Sequence, residues 1–169
     1  MTIHNSKVNI RENSIYVVGT KVDLKKLSIA CFVPTLLLVV LDIFDIVINF
    51  SLSKTSLCII PFIVAIGMFL LERLVQLYAG YAATKRYKLD IMGAILVSTF
   101  SGFVASIVSQ LFLGVLVLTA LMPPEALNPI GMSAPRWVEW AVSSIILIVI
   151  NIVTGVVLGA IGGFIGQRK

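Results

Sequence analysis

Leu27–Phe50 reads LSIACFVPTLLLVVLDIFDIVINF, and its length and composition decide the fold. An α-helix rises 1.5 Å per residue, so roughly 20 apolar residues cross a hydrocarbon core ~30 Å thick. This stretch is long enough to do so, and its only ionisable carboxylates are Asp42 and Asp45. Pro34 falls in the first turns, where a missing N–H is least costly.

Three more apolar stretches follow. Leu57–Leu71 continues less cleanly to Thr84, Ile91–Met122 is long, and so is Trp137–Gly166. The sequence therefore predicts an all-α membrane protein, a bundle of four transmembrane helices. Its domain, 27–169, holds spans at about 28–50, 57–83, 91–121 and 137–165, after a polar leader over 1–26. The whole composition agrees. Of 169 residues, 59% are hydrophobic and 12% charged, with mean hydropathy +1.06. Soluble domains carry about twice that charge to keep their surfaces in water. The first apolar run is too long for a signal-peptide core.

The second span is the least regular, with fifteen clean residues before Glu72 and Arg73. Either one helix runs from Leu57 to Thr84, or the span ends near Leu71 and an interfacial helix follows. Leu74, Leu77, Tyr78 and Tyr81 share one helical face and Glu72, Gln76 and Ala83 the other, which is the pattern of an amphipathic surface helix. The continuous helix is preferred because no Gly or Pro interrupts Phe69–Tyr78. Glu72 and Arg73 are then expected to snorkel to the cytoplasmic headgroups.

Lysine and arginine give the expected orientation. Ten of them (Lys7, Arg11, Lys21, Lys25, Lys26, Lys85, Arg86, Lys88, Arg168 and Lys169) fall on one side of a four-span topology. Only Lys54 and Arg136 fall on the other. The positive-inside rule then places both termini in the cytoplasm, in a cell membrane, with anionic headgroups facing the basic side. That placement accounts for the net charge of +5 without nucleic acid. Trp137 and Trp140 are expected as outer-interface anchors and Tyr78, Tyr81 and Tyr87 as inner ones, while Pro123–Pro124 stops the third helix. In the leader, KVNIRENSIYVVGTKVDL carries β-branched residues on both sides of Glu12–Asn13–Ser14, which reads as a short hairpin about that turn.

Polar residues within spans mark function or tight packing. Asp42, Asp45 and Asn49 share one face of the first helix. They form either an ion-handling site or a structural pair holding neighbouring helices. Asp45 is expected roughly 8 Å from the outer end, and Arg73 roughly 24 Å, too deep to pair with Asp42. In the fourth helix Asn151, Gly155, Gly159 and Gly163 recur every four residues, with Gly162 and Gly166 beside them. Ala94, Ser98, Gly102 and Ser106 form a matching stripe in the third. Such small faces let backbones approach, and intrachain packing is preferred over a homodimer seam. A third use is a polar path lined by Ser98, Thr99, Ser101, Ser106, Ser109, Gln110, Asn151 and Thr154.

No catalytic motif, phosphate loop or cofactor signature occurs, and the lone His4 stands in the leader. Cys31 and Cys58 fall at opposite ends of the first helical hairpin, too far apart for a disulfide, and have no metal-ligand spacing. The expected function is non-enzymatic: an accessory or scaffold subunit of a membrane assembly, partnering the bilayer and a homo-oligomer or another membrane protein. The alternative is a small oligomeric cation or proton transporter or channel using Asp42 and Asp45.

Overall fold

The computed structural model describes residues 14–17, 20–52, 59–119 and 136–168. Their elements are β1 (Ser14–Val17), β2 (Thr20–Asp23), α1 (Leu24–Leu52), α2 (Ile59–Lys85), α3 (Ile91–Leu118) and α4 (Arg136–Gln167). All four helices are long and apolar enough to cross a membrane. Large apolar side chains point outward: Phe32, Phe62, Leu111 and Ile145 are each more than half exposed. The interior instead collects Ala79, Ala83, Ala94 and the serines of α3. That inversion is what a lipid surround requires, because small residues let helices close on one another and large ones fill the acyl region.

β1 and β2 form an antiparallel hairpin pairing Ser14 with Asp23 and Val17 with Thr20. Its turn therefore falls after Val17, not at Glu12–Asn13–Ser14. Glu12 and Asn13 lie outside the described residues, as does Cys58. Asp23 closes the hairpin and opens α1 in the same stroke. One carboxylate oxygen accepts from the amides of Lys25 at 3.0 Å and Lys26 at 3.3 Å, satisfying donors a helix start leaves free.

α2 runs unbroken from Ile59 to Lys85. The turn beyond it is short, with Lys88 in the left-handed region at φ 57°. Asp90 then caps α3 through Gly93 N at 2.8 Å. At the far end α3 stops at Leu118, before the expected 121; residues 120–135, with Pro123–Pro124, lie outside the described set. The last turn is closed by Thr119, whose backbone N–H donates to Val115 O and whose hydroxyl donates to the same carbonyl at 2.7 Å. α2 and α3 touch each other and both remaining helices, whereas α1 and α4 share little contact.

Candidate functional site

The amphipathic stretch of α2 is turned inside out relative to an interfacial helix. Leu74 and Tyr78 are exposed, while Gln76 is 1% exposed and the side chains of Arg73 and Glu72 are 13% and 15% exposed. Neither charge snorkels. The polar face looks into the bundle because polar partners wait there, and in an apolar surround an inward polar face is the stable one.

Arg73 is the hub. Nη1 donates to Gln76 Oε1 at 2.8 Å and to the Thr154 hydroxyl, and Nη2 donates to Asn151 Oδ1. Its guanidinium lies 4.5 Å from the centre of the Phe69 ring. Nη2 also reaches Glu72 at 3.5 Å, although adjacent residues point apart on a helix; the length of both side chains closes the gap. Asn151 passes the network on, its Nδ2 donating to the Ser106 hydroxyl, which donates to Gly102 O at 2.8 Å. Ser98 donates to the backbone carbonyl of Gln76 at 3.0 Å. α2, α3 and α4 are thus tied through one arginine.

On the other side of Glu72 stands α1. The Asp42 side chain faces those of Glu72 and Ser109, with Arg73 nearby, and Asp45 lies close enough for its charge to act on both acids. Asn49 donates to Asp45 Oδ1 at 2.9 Å, so Asp45 and Asn49 form a pair within α1. The depths expected from sequence placed Arg73 too deep to pair with Asp42, and among the described residues the ion pair of Arg73 is with Glu72. α1 continues to Leu52, two residues beyond the expected 50, which puts Asp42 about 15 Å from that end of its helix. The centre therefore holds three carboxylates and one guanidinium. Among the described residues, no three of His, Cys, Asp and Glu are arranged to hold a metal ion.

The two glycine stripes of α4 meet different helices. A Cβ on Gly155 would stand 2.8 Å from Thr99 Cα, on Gly159 2.8 Å from Ser98 Cβ, and on Gly163 2.7 Å from Ala94 Cβ. Gly162 and Gly166 press instead on α2, at the backbone of Leu77 and Tyr81 and the side chain of Thr84. Several residues expected to line a polar path are engaged otherwise. Ser101 donates across to Cys31 O of α1 at 3.4 Å, Ser109 donates within α3 to Ser106 O at 3.1 Å, and Gln110 Oε1 accepts from Ser144 of α4 at 2.9 Å. Trp140 is likewise no simple interface anchor: its Nε1 donates to Gln110 O at 3.1 Å and its ring covers Gly114. Trp137 alone of the two is exposed.

The sequence singled out Asp42 and Asp45 but missed Glu72, Arg73 and Gln76 as their company. The available signal was the polar i, i+4 pair Glu72 and Gln76 opposite a fully apolar face, which has two readings until a partner helix is placed. Comparison with known protein families, with curated proteins and with solved structures finds no match.

Proposed function

We propose that this chain is a multi-pass protein of the cell membrane, with both termini cytoplasmic, and that it handles protons or a small cation at the Asp42–Glu72 centre. One observation carries the reading: Asp42 of α1 faces Glu72 of α2 with Asp45 close by, while the guanidinium beside Glu72 is engaged mainly by neutral partners. In a low-dielectric surround the excess negative charge must be neutralised, and a proton or a cation is the simplest means. A site whose occupancy changes with conditions suits transfer. Four helices enclose little volume, so the working unit is expected to be an assembly of copies or to include a membrane partner.

The test is flux. The purified chain is reconstituted in vesicles enclosing a pH-sensitive dye, and an ion gradient is imposed. Proton or cation movement that Asp42→Asn and Glu72→Gln each reduce strongly, and Lys85→Gln leaves alone, supports the reading. A scaffold role stands as the second reading, favoured by the ties from Trp140, Ser144 and Asn151 of α4 to Gln110 and Ser106 of α3, which close the seam between those helices. Absence of flux, with a fixed membrane partner copurifying, would favour it. Orientation is tested separately by labelling Lys54 and Lys88 in sealed vesicles; reactivity from the same side sinks the four-span topology.

A further inference from the structure

A trench runs along the outside of the bundle between α1 and α3. Its volume is about 730 Å³, and it is lined by every fourth residue of α1 from Leu27 to Val39 and of α3 from Leu96 to Val108. Two facing i±4 rows whose side chains do not interdigitate leave a channel parallel to both helices. The lining is almost wholly apolar, broken only by Ser28, Cys31 and Thr35. Its floor is closed by the contacts that join the helices, among them Ala30 and Cys31 against Ala94 and Val97.

From Leu24 to Val39 the trench is about 22 Å long and apolar along that length, which suits an extended hydrocarbon chain. The chain's own leader, residues 1–13, is too polar to fill it.

Charge identifies the rest of the molecule. The trench opens at Leu24, Leu27 and Ser28, the first turn of α1, where Lys25 and Lys26 are exposed. The α2–α3 turn lies at the same end, since Leu27 and Tyr87 pack on one cluster, and it adds exposed Lys85, Arg86 and Lys88. The acid beside that end of α1 is Asp23, the last residue of β2, one of whose oxygens is taken by the helix amides; Asp90, at the start of α3, is likewise engaged as a cap. We propose that this trench is a binding site for one anionic phospholipid, an acyl chain lying between α1 and α3 and the phosphate held by Lys25 and Lys26.

The full-length chain is equilibrated in mild detergent with mixed phosphatidylglycerol and phosphatidylcholine, and retained lipid is counted by native mass spectrometry. Wild type is expected to retain phosphatidylglycerol preferentially. Lys25→Gln with Lys26→Gln should lower that retention roughly tenfold and leave phosphatidylcholine unchanged. Thr35→Phe, which fills the trench, should lower retention of both lipids, whereas Val153→Phe on the exposed side of α4 should lower neither. Thr35→Leu serves in place of Thr35→Phe if the larger residue unfolds the chain. Retention that survives both the charge and the filling variants overturns the site. So does cross-linking that seats α1 of a second copy in the trench.

Discussion

The two edges of the bundle are joined by opposite means. At α4, glycines bring backbones so close that a single methyl group would strike main-chain atoms of α2 or α3. At α1, contact with α2 runs partly through side-chain carboxylates, with Asp42 facing Glu72 across the interface. A backbone seam has no slack and tolerates no added atom. A side-chain seam can change its charge or its partner without moving a helix. The edge built from glycine is therefore expected to be the fixed frame, and the edge built from acids the responsive part.

Arg73→Met attacks the hinge of that comparison and should have the largest effect. Removing the guanidinium strips Asn151, Thr154 and Gln76 of their donor and leaves Glu72 and Asp42 without a cation, an expected loss of about 3–5 kcal/mol. Unfolding by titration with denaturing detergent, followed by circular dichroism, reads it. Adding Glu72→Gln should restore part of the loss; a double variant as unstable as the sum of both singles would show that the acids are not what the arginine supports.

Gly162→Val tests the rigid edge. The nearest atoms belong to the main chain of Leu77 and Tyr81, which cannot rotate away, so overpacking of about 3 kcal/mol is expected in the same titration. A variant that unfolds with wild type would mean the α2–α4 seam is not close-packed. Asn151→Leu should be milder, roughly 1 kcal/mol, the usual worth of an interhelical hydrogen bond in a membrane, although it breaks two. Gly67→Ala is the control at the small end. Nothing lies within 4 Å of its added Cβ, so it should stabilise α2 by up to ~1 kcal/mol through helix propensity alone.

The sequence made the rigid edge easier to read than the responsive one, for a physical reason. A glycine stripe repeats every four residues within one helix, and it fits only another small stripe; α3 offers one in Ala94, Ser98, Gly102 and Ser106. Reading Gly162 and Gly166 as a second face onto α2 required only the next column of the same helix. The acid centre is assembled from two helices, α1 and α2, and its membership turns on relative depth. Two residues of extra α1 set Asp42 deeper than expected, toward the level of Glu72. The polar face of α2 was visible as a period but not as a direction. Whether Glu72 and Gln76 look out toward headgroups or in toward Asn151 depends on what the neighbours offer, and a period cannot say that.

Asp23 pairs with Ser14 across the hairpin and caps α1 with the same residue. No slack segment separates strand from span. A protein or surface that grips the hairpin therefore has a lever, because torque on the strands enters the helix at its first turn. Asp42 lies on the same helix about 27 Å further along, beyond Pro34, which stands inside α1 and not in its first turns. The hairpin that leads without a break into the helix of Asp42 spans only ten residues, Ser14 to Asp23.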